Sequence, residues 1–169
     1  MGQKRNYSDL DVFLKDLKSD IKDTLSKEVL DEVRDIELEH VQRDVFNAYH
    51  PRIYNRRSSL GIDDPRNIVG QVKDMALYVE NITPYNPGYG TYNSGTTLAD
   101  LINEGEGGKH KLYYDFTGDF IQPRPFLNYT QYEVDKSHRV ENALNKGLRS
   151  RGCRIRQRPV GNGKRHQTV

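Results

Sequence analysis

A hydrophobic residue recurs every three or four positions from Leu10 through Phe13, Leu14, Leu17, Ile21, Leu25, Val29 and Val33 to Ile36, and the pattern runs on through Val41, Val45 and Tyr49 until Pro51. That period is one apolar stripe of an α-helix, and nothing else in the chain narrows the fold as much. Ser8 is placed to cap the helix, with Asp11 in the capping-box position and Tyr7 able to staple onto Val12. Unbroken, such a helix would be about 60 Å long at 1.5 Å per residue. It must either break, with Thr24 to Lys27 the natural place, or lie against something larger than a small core.

The core is small. Of 169 residues 34% are apolar and 30% charged, a balance that suits a domain completing its burial against neighbours. The length fits a single domain over residues 1–152, followed by a basic extended tail over residues 153–169. A net charge of +2 conceals a polarity along the chain. Residues 9–44 hold twelve Asp or Glu against six Lys or Arg, whereas residues 146–169 hold eight Lys or Arg and no acid. An acidic first helix and a basic end can meet across a subunit boundary, although a solvated helix face and a disordered tail account for either segment alone. No apolar run approaches the length of a membrane span and the N-terminus MGQKRNYSDL has no signal-like stretch, so a soluble protein made in a cytoplasm is expected. Cys153 is the single cysteine, which leaves no internal disulfide.

Beyond Pro51 the pattern changes. Arg52 to Arg57 and Ile68 to Val72 read as short strands, and Met75 to Thr83 as the clearest one, with Lys73-Asp74 the turn before it. Tyr85 to Gly95 is a loop rich in Gly, Asn and Tyr. Thr97 caps a short helix, Leu98 to Asn103, that Gly105 ends. Glu104 to Lys109 is a Gly-rich loop, and Leu112 to Phe116 is aromatic and extended. In DFIQPRPFLNYT, Pro123 keeps the approach extended and Pro125 fits the first turn of a second long helix, which carries Leu127, Thr130, Val134, Val140, Leu144 and Leu148 and closes near Gly152. The fold expected is α+β: a twisted antiparallel sheet flanked by a long N-terminal and a long C-terminal helix, with extended loops and the basic tail.

Signatures of catalysis are scarce. The chain has neither a phosphate loop nor a dinucleotide fingerprint, and Glu104-Gly-Glu-Gly-Gly lacks a strand-to-helix context. Glu37, His40 and Asp44 have the spacing that carboxylate-bridged metal sites use, but such sites need a second set from another helix and none is present, so an exposed polar face is the reading. Cys153 lies among Arg149, Arg151, Arg154 and Arg156, yet neither a base nor an oxyanion site can be named beside it. No catalytic residue, metal or cofactor is expected. The basic end, with Arg158, Lys164 and Arg165 added, is a candidate for phosphate contact or for docking on an acidic partner; without interleaved aromatics, sequence-specific reading of nucleic acid is not.

The order of elements, with Leu98-Ala-Asp-Leu-Ile-Asn-Glu-Gly105, Gln122-Pro-Arg-Pro-Phe-Leu127 and Ala143-Leu-Asn-Lys-Gly-Leu-Arg-Ser-Arg-Gly152, resembles the neck and tail-completion proteins of long-tailed bacteriophages. These motifs span roughly residues 96–152. Where many family members follow the first helix with a Pro-x-x-Thr-Gly-x-Leu turn, this chain has Pro51 and then Arg-Ile-Tyr-Asn-Arg-Arg. The resemblance implies a structural, non-enzymatic virion protein that forms a ring with copies of itself between head and tail. Its partners would be the head connector or head-closure protein and the tail terminator or tail tube, with non-specific contact to packaged DNA and none to membrane. Assembly contacts are expected at Arg124, Phe126 and Leu127 on the proline corner and at Arg149, Arg151, Arg154, Arg156 and Arg158 on the basic end. The rival expectation is a small non-specific nucleic-acid-binding module that uses the basic C-terminal segment.

Overall fold

The computed structural model describes residues 7–48, 61–84, 97–105 and 123–153. These form a mixed α+β structure dominated by one continuous helical rod. It comprises α1 (Leu10–Thr24), a π-helical segment (Leu25–Val29), α2 (Leu30–His40) and a second π-helical segment (Val41–Phe46). The junction residues Leu25, Leu30 and Val41 all have right-handed helical dihedrals, so the rod does not break at Thr24 to Lys27 as expected but widens there. The spacing explains why. Apolar residues at every fourth position, as in Leu17, Ile21, Leu25, Val29 and Val33, drift by about 40° per step around a helix of 3.6 residues per turn. A π turn, with its i→i+5 bonds, holds an extra residue and takes up that drift. The second π-helical segment sits on the same spacing at Glu37, Val41 and Val45.

The start of the rod also departs from expectation by one residue. Asp9, not Ser8, is the N-cap and accepts from the Asp11 amide at 2.8 Å. Tyr7 packs edge-on against Phe13, with ring centroids 5.2 Å apart, and its hydroxyl donates to Asp16 at 3.1 Å.

After a 3-10 turn (Pro65–Asn67), β1 (Ile68–Lys73) and β2 (Ala76–Asn81) form an antiparallel hairpin running from the Ile68–Asn81 pair to the Lys73–Ala76 pair. Its two-residue turn is Asp74-Met75, one position later than expected, with positive φ of 47° and 66° at both residues, the twist a tight hairpin needs. This is the sheet among the described residues; the expected strands at 52–57 and 112–116 lie outside them. The hairpin rests on the rod, where Arg34 donates from Nε to the Ile68 carbonyl at 2.8 Å.

α3 (Leu98–Glu104) carries the expected Thr97 cap with a reciprocal bond from Asp100, and Gly105 at φ 72° ends it. The proline corner works differently from the sequence reading. Pro125 stands just outside the helix and α4 (Phe126–Lys136) begins one residue later. Its first turn is satisfied from another element, because the Leu127 amide donates to the Asn103 side chain of α3 at 3.0 Å. Phe126 is fully enclosed with Val41, Val45, Ile62 and Ala99 in the core, and Leu127 packs against that cluster with Phe46 and Ile102.

The expected single C-terminal helix is two. α4 stops at Ser137, whose ψ of 150° is extended, and α5 (Arg139–Ser150) restarts after His138. The apolar spacing carries the reason: between Val134 and Val140 it is six, neither three nor four, so one straight helix could not keep both on the same face. The bend lets α5 swing onto α1. There the backbone at Gly147 approaches so closely that a β-carbon would strike the Thr24 methyl. α5 ends in a Schellman arrangement, with Gly152 at φ 90°, its amide bonded to the Arg149 carbonyl and the Cys153 amide to the Leu148 carbonyl, both at 3.0 Å.

A charged seam as the candidate functional site

Glu37, His40 and Asp44 do not form an exposed polar face. Glu37 and His40 are 3% and 2% exposed, on the side of the rod that α4 and the hairpin cover. They sit one turn beyond Val33 and Ile36, so they continue the buried stripe rather than interrupt it.

Glu37 accepts from the Asn81 side chain at 2.7 Å. Asn81 in turn accepts from the Thr83 hydroxyl at 2.6 Å and amide at 3.1 Å, which ties the end of β2 to the rod. Burial pushes the Glu37 carboxyl up from its ordinary value, only partly offset by the Asn81 bond. His40 bridges two helices: Nδ1 lies 2.7 Å from Asp44 Oδ2 and Nε2 lies 3.1 Å from Glu133 Oε2 on α4. Tyr129 stacks on the imidazole with centroids 6.1 Å apart. Arg43 reaches the same cluster, its Nε donating to Asp44 Oδ1 at 2.9 Å and its Nη2 2.7 Å from His40 Nδ1. Burial works to raise the Asp44 carboxyl, but the bonds from Arg43 and His40 outweigh it and hold the group below its usual value.

Arg139, the first residue after the bend, is the hub of the seam. Its Nε donates to Glu32 at 2.6 Å, Nη1 and Nη2 fork onto Glu39 at 2.8 and 2.9 Å, and Nη1 also reaches Glu133 at 3.2 Å. The bidentate grip on Glu39 is the geometry in which Arg binds a carboxylate best, and it holds Glu39 below the ordinary range while raising the guanidinium further. Lower down, Arg151 donates to Glu28 at 2.8 Å and to the Gly147 carbonyl at 2.9 Å, which lowers the Glu28 carboxyl. Both nitrogens of His40 and both oxygens of Asp44, Glu39 and Glu133 are thus bonded within the seam. Among the described residues no group of three or more His, Cys, Asp or Glu is placed to hold a metal ion. What this arrangement does chemically is fasten helices together.

The residues expected at assembly contacts fare differently from one another. Arg124 is half-buried at the corner, its amide donating to the Ile102 carbonyl at 2.9 Å. Phe126 is core, and Leu127 is half-buried beside it. Arg149 is exposed in the last turn of α5. Arg151 meets the acidic rod within one chain, where the sequence suggested a contact across a subunit boundary. Arg154, Arg156 and Arg158 lie outside the described residues, as does the basic tail beyond Cys153. Sequence reasoning missed Arg139 and Glu133 altogether. Their signal was the gap between Val134 and Val140: Glu133 stands just before it and Arg139 at its end.

Two apolar features stand out on the surface of the described residues. At the start of α1, Leu10 and Leu14 are 68% and 41% exposed, beside exposed Val12 and Phe13. Further along, Leu25 and Val29 face Val134, Val140 and Leu144 across an open groove of about 420 Å³ under the α4–α5 bend. Among the described residues no helix is long and apolar enough to cross a membrane.

Fold and seam together define a mixed α+β protein whose helices are joined by a charged seam and which, among the described residues, exposes apolar side chains at the tip of α1. The chain belongs to the YomN family, whose model matches residues 6–150. It is 28% identical over 116 residues to the SPbeta prophage-derived uncharacterized protein YomN of Bacillus subtilis (strain 168), a match covering 69% of this chain and 73% of that one. No solved structure matches the chain. The protein is phage-associated on these grounds.

Proposed function

We propose that the protein is a structural component of a tailed phage particle, forming a ring with copies of itself in the neck between head and tail. It would contact the head-closure or connector protein on one side and the tail terminator or tube on the other. The observation that carries this reading is the apolar tip of α1: Leu10, Val12, Phe13 and Leu14 remain exposed on a rigid helix that the rest of the described chain does not cover. Exposed apolar surface of this kind marks contact with another protein. The prophage relative supports a phage setting, and the bonded seam supports a mechanical rather than a catalytic role.

Mass spectrometry on phage particles, purified from a host carrying the gene by density gradient and high-salt washing, tests the reading. The protein is expected to co-purify with the major structural proteins at a constant ratio. Its absence from intact particles, with the protein present in the lysate, overturns it.

A further inference from the structure

We infer that the exposed tip of α1 docks into the groove beneath the α4–α5 bend of a second copy, a head-to-tail contact that propagates. The inference deepens the ring reading by naming the contact on which such a ring would close.

Three observations carry it. The first is shape: the tip is a convex apolar ridge, Leu10, Phe13 and Leu14, and the groove is a concave one floored by Leu25, Val29, Val134, Val140 and Leu144. An amphipathic helix laid in an apolar groove is a recurrent mode of recognition. The second is that the two cannot meet within one chain. Leu10 and Leu25 belong to the same unbroken rod, about 22 Å apart at 1.5 Å per residue, and a rigid helix does not fold back on itself. A tip that enters the groove must therefore belong to another molecule.

The third is charge. At about 100° per residue, Lys15, Lys18 and Lys22 fall on one flank of the α1 stripe together with Asp11, and Asp16, Asp20 and Asp23 on the other. Two α1 tips paired antiparallel through their stripes would set lysine flank against lysine flank, which disfavours that symmetric dimer. The groove offers a better match, because its rim carries Asp135 and Glu141, with Lys136 and His138 at the bend. Lys15 and Lys18, on the flank beside Leu14, are the cations that would meet Asp135 and Glu141 on that rim. Because tip and groove are different surfaces, the contact is heterologous, and repeated it closes into a ring or runs on as a filament.

The test uses two full-length variants, Leu14→Asp to spoil the tip and Val140→Asp to spoil the groove, followed by sedimentation and native mass spectrometry. The unaltered protein is expected to form species larger than dimers, and each variant alone to be monomeric. An equimolar mixture should give a one-to-one dimer and nothing larger, since one good tip and one good groove remain. Should Val140→Asp lose its cooperative thermal transition, the exposed pair Asp135→Lys with Glu141→Lys replaces it. That pair should weaken association at least tenfold and regain it against a partner carrying Lys15→Glu with Lys18→Glu. A groove variant that still self-associates while the tip variant does not means that tips pair with tips, and the inference falls. It falls equally if the unaltered protein stays monomeric up to high micromolar concentration. Recovery of the protein in purified particles alongside either result retires this contact while leaving the virion reading in place.

Discussion

Gly147→Ala should destabilise the protein, although the same change in an open helix would stabilise it. In an exposed helix interior, alanine gains about 1 kcal/mol over glycine through its lower backbone entropy. Gly147 is instead the buried residue at which α5 crosses α1, and an added β-carbon would strike the Thr24 methyl and come within 3.1 Å of the Glu28 carboxyl. Neither neighbour can easily yield. The Thr24 hydroxyl is bonded to the Asp20 carbonyl at 2.7 Å and Glu28 is held by Arg151 at 2.8 Å. Overpacking of this kind costs roughly 1–3 kcal/mol, so it equals or outweighs the gain in propensity and leaves a net loss of up to about 2 kcal/mol. For a chain of this size each kcal/mol is worth about 2–4 °C in Tm. Thr24→Ser removes the methyl while keeping the hydroxyl bond, and alone should cost about 1 kcal/mol for the buried carbon. Combined with Gly147→Ala it vacates the space the new β-carbon needs. The double variant should therefore be more stable than the sum of the singles by about 1–2 kcal/mol, read from urea unfolding of all four proteins as a double-mutant cycle. A Gly147→Ala protein more stable than the original, or additive behaviour in the cycle, would refute the close crossing.

Arg139→Met should cost about 2–3 kcal/mol in urea unfolding, because it leaves Glu32, Glu39 and Glu133 facing one another without their cation; a loss below about 0.5 kcal/mol would mean that the seam does not hold the bend. Acid should weaken the protein through Glu28 and Glu39, whose carboxyls are held below their ordinary 4.5 when folded. The stability they contribute is complete above that value and is lost as pH falls through their lowered folded values, so Glu39→Gln should flatten a plot of Tm against pH on its acid side. Glu37 works in the opposite sense: its raised carboxyl makes folding bind a proton, so its contribution falls as pH rises above 4.5, and Glu37→Gln should raise Tm at neutral pH while keeping an acceptor for Asn81. Asn103→Ala removes the side-chain acceptor of the Leu127 amide and should lower stability by about 1 kcal/mol, with increased amide exchange confined to the first turn of α4.

Much of the scaffold was legible because its signals are local. The stripe from Leu10 to Ile36 gave the rod, and Thr97, Asp100 and Gly105 gave both ends of α3. What failed were inferences needing knowledge of distant neighbours. The length of the apolar stripe suggested a break, whereas the rod runs on through a π-helical segment there, with α5 packed close beside it at Thr24. The start of α4 slipped by one residue because Asn103, some two dozen positions away, supplies the cap that the local sequence lacks. The seam was hidden for a related reason. Glu37 and His40 are polar and so were assigned to solvent, but their spacing from Val33 and Ile36 places them on the covered face, and their partners Asn81 and Glu133 come from elements whose positions only the tertiary structure fixes.

That placement bears on what the charge is for. A rod whose apolar residues repeat every four positions can slide by one helical turn against its partners and bury nearly the same surface, so apolar packing alone sets its register weakly. The seam removes the ambiguity. Slipping the rod by four residues one way would set Arg139 against Ile36 and Arg43 in place of Glu32 and Glu39, a cation against a cation. Slipping it the other way would return Arg139 to Glu28 and Asp35, but would face Arg151 with Thr24 in place of Glu28 and Glu133 with Ile36 in place of His40. Each error strands charges that the native register pairs, at a cost of several kcal/mol where they are buried. The seam therefore acts chiefly on specificity, fixing how far the apolar tip of α1 projects beyond the body. For a protein that would dock this tip into a groove on the next copy, that distance is the dimension that has to be held constant.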